Sequence, residues 1–176
     1  MENLKFPIGH YTKPDVISKE VIASWILVIE QFPNRLKKIT NDLSIESLNW
    51  VYRPEGWAIK QVVHHCADSH MNSFIRFKLA LTEDCPTIKP YEEAKWAALV
   101  DGLDNDISAS LNIIEGVHYR WVFLLKSLNE VQLNYQFEHP ETKKIFCLDE
   151  VIGLYAWHCN HHFSHIEQAL LNKGNF

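Results

Sequence analysis

The chain has 176 residues, enough for one domain with a substantial core, and its hydrophobic fraction of 47% is ordinary for a globular protein. Seventeen basic and twenty-two acidic side chains give a formal net charge of −5, which argues against nucleic acid as a partner. No apolar run is long enough to span a bilayer, and residues 1–5 lack the pattern of a signal peptide, so no membrane partner is expected.

Cysteine usage indicates a reducing compartment. The four cysteines form no C-x-x-C pair and are Cys66, Cys85, Cys147 and Cys159. They are too few for a disulfide scaffold in a chain of this length. We therefore expect a cytoplasmic protein and treat residues 1–176 as a single domain.

The predicted elements begin after an irregular N-terminal arm at residues 1–17. A first helix, capped by Asp15 or Ser18, is expected to end near Asp42 because its apolar positions follow helical spacing. Pro33 lies inside this pattern. Since proline has no N–H group, we expect the helix to kink or break there.

Two further long helices and a short one follow a loop at residues 53–56. The second helix is expected from about residue 57 to 82, and a short helix is expected around Trp96. Asp104 or Asp106 then caps a third long helix ending near Leu128. The apolar stripe of that third helix is almost a heptad repeat, which is typical of a bundle.

The last part of the chain combines an ambiguous segment with a fourth helix. Residues 135–147 contain apolar side chains around a turn and predict either a small β-hairpin or an extended excursion. Asp149 is the expected N-cap of a fourth helix that ends before Gly174. Four long amphipathic helices predict an all-α fold, a four-helix bundle, in which metal sites are built from inward side chains.

Histidines dominate the fourth helix. At about 100° per residue, His158 and His162 lie one turn apart at the centre of its apolar face, while His165 borders that face and His161 lies further out. Such an i, i+4 pair can place two imidazoles on one metal ion. The alternative is a pair of core histidines that bond to neighbouring groups.

A second histidine cluster occupies the second helix. Its apolar stripe passes through His70, whereas His65 lies to one side and His64 faces nearly the opposite way. Periodicity alone therefore favours His70 as the third inward imidazole.

Several segments of the chain resemble the motifs of YfiT-type proteins in the DinB/YfiT superfamily, and they occur in the same order. These segments are 64–78, 89–91 with Trp96, 118–121, 139–141 and 155–166. The resemblance implies a four-helix bundle with one divalent metal ion held by three histidines. Imidazole ligands suit zinc, nickel, iron and copper, and of these we expect zinc or nickel. The implied ligands are His65, His158 and His162, so the resemblance selects His65 where periodicity selects His70.

The resemblance also implies a function. Members of the group are described as metal-dependent hydrolases, and some relatives use bacillithiol, glutathione or mycothiol in thiol transfer. Those relatives are usually described as cytoplasmic or as dimers. We therefore expect a small-molecule substrate, a thiol as a candidate cosubstrate, and a homodimer. A three-imidazole site leaves coordination positions open and serves hydrolysis and thiol transfer equally well. A metal-binding stress-response module without turnover, or a structural helical dimer, is the alternative from another class.

Residues near the proposed ligands are candidates for supporting roles. Asp68, one turn after His65, is a candidate to orient that imidazole or to act as an acid or base, although a solvated carboxylate explains it equally well. His161 and His165 are candidate hydrogen-bonding partners of the ligands or proton shuttles.

Arg76 could hold an anionic substrate or form a surface ion pair, and Trp57 could form part of the wall of a pocket. The remaining groups have simpler explanations: Cys66 and Cys159 as buried apolar side chains, and His118 as a hydrogen-bonded core histidine.

Overall fold

Four long amphipathic helices enclose the core, as the sequence predicted. The computed structural model describes residues 2–176. Its long helices are α2 (Lys19–Thr40), α4 (Ile59–Thr82), α6 (Ser108–Ser127) and α8 (Leu148–Asn172). Its short helices are α1 (Glu2–Lys5), α3 (Ile45–Leu48), α5 (Glu93–Trp96) and α7 (Glu130–Leu133). The strands β1 (Gln136–His139) and β2 (Lys144–Cys147) precede α8.

The order of the helices around the bundle differs from their order in the chain. Helices α2 and α4 each pack mainly against α6 and α8. Consecutive long helices α2 and α4 are therefore diagonal to one another, as are α6 and α8. This arrangement places α4 beside α8, so the two histidine-rich helices are neighbours although they are far apart in sequence.

Helix α2 begins as expected but does not break at Pro33. The hydroxyl oxygen of Ser18 accepts a hydrogen bond from the N–H of Val21, which caps the first turn. The helix then continues through Pro33 to Thr40. Proline leaves the carbonyl of Ile29 without its intrahelical donor, and a side chain from α6 satisfies that carbonyl instead. The expected break is absent because a tertiary contact compensates for it.

The ambiguous segment before the last helix is a hairpin. Strands β1 and β2 pair antiparallel, with Phe137 opposite Phe146. Helix α8 starts at Leu148, directly after β2, and its N-cap is Cys147. Asp149 was predicted to be the N-cap but lies in the first turn of the helix. The Asp149 carboxylate accepts from the N–H of Glu150, which still satisfies a free donor of that turn.

The N-terminal arm lies along α8. Apart from α1, it is irregular, as expected. The phenol of Tyr11 donates to the carbonyl of Glu150, and the indole of Trp157 donates to the carbonyl of Gly9. A Cβ atom on Gly153 would lie 2.7 Å from atoms of Tyr11 and Trp25, so glycine is what permits this close approach.

No helix between residues 2 and 176 has both the length and the apolar character required to cross a membrane.

Candidate metal centre

Helices α4 and α8 bring three imidazoles to one point. The ring centroids of His158 and His162 are 4.4 Å apart, which reflects their one-turn spacing on α8. The ring of His65, from α4, lies 5.4 Å from that of His158 and 4.8 Å from that of His162. One nitrogen from each of the three side chains lies within 4.8 Å of the others. The structure thus brings together the three residues that the resemblance implied.

The chemistry of this cluster suits a divalent metal ion. Burial lowers the pKa of His65 to about 4, with a further contribution from His161. Burial also holds the pKa values of His158 and His162 well below their usual range, and neighbouring histidines contribute. All three imidazoles are therefore neutral near pH 7 and have a lone pair for a metal. Three neutral nitrogen ligands without a carboxylate are typical of zinc sites that keep a position open.

The cluster forms part of the wall of a cavity of about 490 Å³. Much of the remaining wall is aromatic or aliphatic and includes Phe6, Trp57, Phe137, Phe146 and Leu154. The wall also carries polar and charged side chains, among them Lys5, Ser69, Arg76, Glu93, His139 and Tyr155. A larger groove of about 600 Å³ between α2, α6 and α7 has no histidine among its described lining residues. Of these two cavities, the one lined by histidines has both room for a small molecule and side chains that can bind a metal ion.

Asp68 does not reach this cavity. Its side chain is half-buried and is absent from the described cavity wall. Burial raises the pKa of its carboxyl group, Asp101 raises it further and His64 lowers it. Among residues 2–176, no hydrogen bond joins its carboxylate to His65. The structure therefore does not support Asp68 as the group that orients this imidazole.

His165 contacts a proposed ligand directly. Its Nδ1 atom lies 3.3 Å from Nδ1 of His162, and its Nε2 atom lies 3.0 Å from the carbonyl oxygen of Lys5. The ring of Tyr52 stacks on it, with centroids 3.8 Å apart. His165 is therefore a hydrogen-bonding partner of His162, which is one of the roles considered for it.

His161 is buried, although the helical projection placed it away from the apolar face. The rings of Trp157 and Phe6 stack against it with centroids 4.4 and 5.6 Å away. Its Nδ1 atom is buried without a hydrogen-bond partner among the described residues. Helical projection could not show this burial, because the covering residue Phe6 belongs to the N-terminal arm. His161, His162 and His165 also form a compact trio, but His162 belongs to the first cluster and is hydrogen-bonded to His165.

Arg76 and Trp57 both line the cavity, as the sequence suggested. The ring of Trp57 lies 4.8 Å from that of His65. Arg76 donates from Nη2 to the carbonyl of Lys89, while its Nε atom is buried without a partner in the described structure. His139, for which the sequence suggested no role, lies on the same wall, and its Nδ1 atom is also unpartnered there.

The other histidines of α4 are not part of the three-imidazole cluster, although one of them contacts it. His64 hydrogen-bonds the Ser110 hydroxyl and the Asp104 carbonyl beside α6. His70 is fully buried and lies between His118 and His158. The apolar stripe thus identified a genuinely inward histidine. However, α4 packs against both α6 and α8, and only the side of the stripe that carries His65 reaches the cluster.

The cysteines next to the ligands are not available as thiolates. Cys66 and Cys159 are free and completely buried. Burial raises the pKa of both thiols, and for Cys159 the neighbouring Cys66 raises it further. They act as small apolar side chains, in line with the sequence analysis.

A helical bundle with three imidazoles converging on an open cavity defines a metal-binding bundle protein. This chain belongs to the DinB superfamily, whose family model matches residues 29–166. It is 46% identical over 172 residues to "Putative metal-dependent hydrolase YfiT" of Bacillus subtilis (strain 168), covering 98% of this chain and 97% of that protein. It is 51% identical over 166 residues to a protein of the same description from Bacillus cereus (strain 03BB102), covering 94% and 95% of the two chains.

Solved structures show the same fold. YfiT from Bacillus subtilis, described as a probable metal-dependent hydrolase with an unusual four-helix bundle topology, matches with a TM-score of 0.94 and 45% identity over 98% of both chains. The mycothiol-dependent maleylpyruvate isomerase, an enzyme, matches with a TM-score of 0.64 and 14% identity over 82% of this chain and 60% of that one. This second similarity concerns the fold alone. The predicted family and the predicted fold are both confirmed.

Proposed function

We propose that this protein is a metal-dependent hydrolase of the YfiT type, with one divalent ion, zinc or nickel, held by His65, His158 and His162. The observation that carries the proposal is the convergence of three neutral imidazoles at the wall of a cavity of about 490 Å³. The names of relatives that share about half of the sequence point in the same direction. A bound divalent ion supplies Lewis acidity, which makes a water or a thiol a better nucleophile near neutral pH.

The protein supplies groups for positioning a substrate. The Ser69 hydroxyl lies 3.5 Å from Nε2 of His158 and 3.3 Å from the phenol of Tyr155, so it can orient a polar group next to the ligands. Burial lowers the pKa of His161 to about 3, so this imidazole is neutral near pH 7 and is a weak base. It is therefore suited to hydrogen bonding and not to general-base catalysis. The aromatic wall excludes water from the apolar part of a substrate.

The cavity favours a small substrate with an apolar body and an anionic end. The aromatic and aliphatic walls suit the apolar body. On the polar wall, Arg76 has an unpartnered Nε atom and His139 has an unpartnered Nδ1 atom. The guanidinium of Arg76 is the natural donor for a carboxylate or phosphate, and the His139 imidazole donates from Nδ1 only in the tautomer that carries the proton there.

A low-molecular-weight thiol is the second candidate nucleophile. The two cysteines that follow proposed ligands in the sequence, Cys66 and Cys159, are buried with raised thiol pKa values. Thiol transfer would therefore need a thiol that enters the cavity from solution. Bacillithiol, glutathione and mycothiol are the cosubstrates to test.

The decisive experiment is an activity assay of protein loaded with Zn²⁺ or Ni²⁺. Ester and amide substrates are tested without thiol, and a thiol panel is tested with an electrophile. Turnover of esters or amides without thiol supports hydrolysis, whereas turnover only with thiol establishes transfer. Stoichiometric metal without turnover of any tested substrate would favour the non-catalytic metal-binding module. The cytoplasmic location and the homodimer stay predictions, and sedimentation analysis tests the latter.

A further inference from the structure

A chain of hydrogen bonds starts at the carbonyl that Pro33 leaves free. Pro33 has no N–H to offer to Ile29, one turn earlier in α2. His118, on α6, is 1% exposed, and its Nδ1 atom lies 2.7 Å from the Ile29 carbonyl oxygen. A carbonyl oxygen only accepts, so Nδ1 of His118 must carry the proton. This contact fixes the tautomer of His118.

The fixed tautomer of His118 determines that of the next histidine. Burial lowers the pKa of His118 to about 4, so the ring is neutral and its Nε2 atom is an acceptor. Nδ1 of His70 lies 2.7 Å from this Nε2 atom and must therefore be the donor. His70 is fully buried, and its Nε2 atom is in turn an acceptor.

The chain of hydrogen bonds ends at a proposed metal ligand, His158. Nδ1 of His158 lies 3.0 Å from Nε2 of His70. By the same reasoning, His158 carries its proton on Nδ1, and its Nε2 atom keeps a free lone pair. The nearby Ser69 hydroxyl, 3.5 Å from Nε2, is able to donate to that atom and so agrees with this assignment.

A second, shorter chain has the same result at the other ligand of α8. Nε2 of His165 lies 3.0 Å from the carbonyl oxygen of Lys5 and must donate to it. Nδ1 of His165 is then an acceptor for Nδ1–H of His162, 3.3 Å away. His162 therefore also keeps the lone pair on Nε2. No such chain reaches His65 among the described residues.

We propose that His118 and His70 are positioning residues that set the tautomer and ring orientation of His158, with the Ile29 carbonyl as the anchor. This inference rests on the proposed metal centre, because the hydrogen-bond chain can position a ligand only if His158 binds a metal ion. Metal-bound histidines commonly donate their second N–H to a carboxylate or a carbonyl. Here two further imidazoles carry that donation from α8 through α4 and α6 to α2.

The first test measures the tautomers directly in metal-free protein. Long-range ¹H–¹⁵N correlation spectra of the imidazole rings distinguish Nδ1–H from Nε2–H. We expect His118, His70 and His158 to be Nδ1–H, although a solvated neutral imidazole prefers Nε2–H. An Nε2–H tautomer at His158 or at His118 would overturn the proposal, whatever the metal affinity proves to be.

The second test separates positioning from packing. His118→Leu removes both the donor and the acceptor, whereas His118→Gln offers an amide N–H to Ile29 and an amide oxygen to His70. We expect His118→Leu to weaken Zn²⁺ binding by about 10- to 100-fold, and His118→Gln to restore most of the affinity. Unchanged affinity in His118→Leu would refute the positioning role. If His118→Leu does not fold, the wild-type spectra still decide the question.

These tests also keep this inference apart from the proposed function. Failure of the wild-type protein to bind Zn²⁺ would refute the metal centre, while the tautomers would still report whether the hydrogen-bond chain exists. Metal binding with the wrong tautomers would refute the chain and leave the metal centre intact.

Discussion

The ring of Tyr52 lies almost parallel to that of His165, with an angle of 15° between the planes and 3.8 Å between the centroids. Together with the Lys5 carbonyl, this stack holds His165 against His162. Two segments from outside the four long helices therefore support a proposed ligand from its outer side. This relationship leads to the first prediction.

Replacement of His165 by alanine should weaken Zn²⁺ binding by about 10- to 100-fold without abolishing it, because His162 loses the acceptor of its Nδ1–H. Competition with a metallochromic chelator measures the change. The matched control is Gln168→Ala, since Gln168 donates to the carbonyls of Leu4 and Tyr52 and so holds the same segments. An equal loss of Zn²⁺ affinity in the control would show that the packing of the Lys5 and Tyr52 segments supports the site and that the His165 imidazole does not.

Removal of a proposed ligand should have a larger effect. His158→Ala and His162→Ala should each lose stoichiometric Zn²⁺ after dialysis, because two imidazoles seldom retain the ion against a chelator. Elemental analysis of the dialysed protein provides the measurement. His10→Ala is the control, since His10 is an exposed histidine paired with Glu2. Full occupancy and unchanged resistance to chelators in His158→Ala would show that the site is wrongly assigned.

Acid should destabilise the metal-free protein through His118. Its pKa is about 4 in the folded state and close to 6.5 when unfolded, so between these values the unfolded state binds more protons. The free energy of unfolding should therefore fall as the pH drops from about 6.5 to 4, by on the order of 3 kcal/mol from this residue alone.

Urea unfolding at several pH values measures this contribution. The matched variant is His118→Gln, in which the slope with pH should be reduced. His70 faces His118 and is also buried and neutral, so it contributes to the slope that remains. Identical slopes for the wild-type protein and the variant would contradict the assignment.

Substitution of Arg76 should affect anionic substrates selectively. The position of the Arg76 guanidinium in the cavity wall predicts that Arg76→Ala raises KM for a carboxylate-bearing substrate by about 10-fold or more, because a charge-assisted hydrogen bond is lost. A neutral ester of similar shape should be little affected. Arg120→Ala serves as the control, since Arg120 lies over the ring of Phe74, outside the described wall of the cavity.

The four cysteines should react in two classes. Cys85 is exposed and Cys147 is partly exposed, whereas Cys66 and Cys159 are completely buried. Iodoacetamide should therefore modify only the first two in the native protein and all four after unfolding, as mass spectrometry would show. Native alkylation should leave Zn²⁺ content unchanged. Loss of the ion on modification would indicate a thiolate ligand.

Helical periodicity predicted most of the fold because each of the four long helices carries apolar residues at helical spacing. The same projection placed His158 and His162 together, since an i, i+4 pair depends only on local geometry. It favoured His70 over His65, because α4 buries two faces against different neighbours and the centre of its apolar stripe passes through His70. The resemblance selected His65, which the structure groups with His158 and His162.

Other features depend on contacts that sequence patterns do not show. A kink or break at Pro33 was expected from the missing N–H, but the helix does not break there, and His118 satisfies the freed carbonyl from another helix. His161 was placed outside the apolar face, but Phe6 from the irregular arm covers it. Asp68 lies about one helical turn from His65 in the sequence, yet it is absent from the described cavity wall. Burial raises the pKa of its carboxyl group, Asp101 raises it further and His64 lowers it. For Pro33 and His161 the deciding partner is distant in the chain.

The position of Lys5 and Phe6 has a practical consequence for protein production. The Lys5 carbonyl holds His165, and the Phe6 ring lines the cavity, so the first few residues belong to the surroundings of the proposed metal centre. An affinity tag joined ahead of them would add charge and bulk near its entrance, and a polyhistidine tag would also bring competing ligands. A tag placed after the exposed Phe176, or one removed by a protease, is the sounder choice for metal analysis.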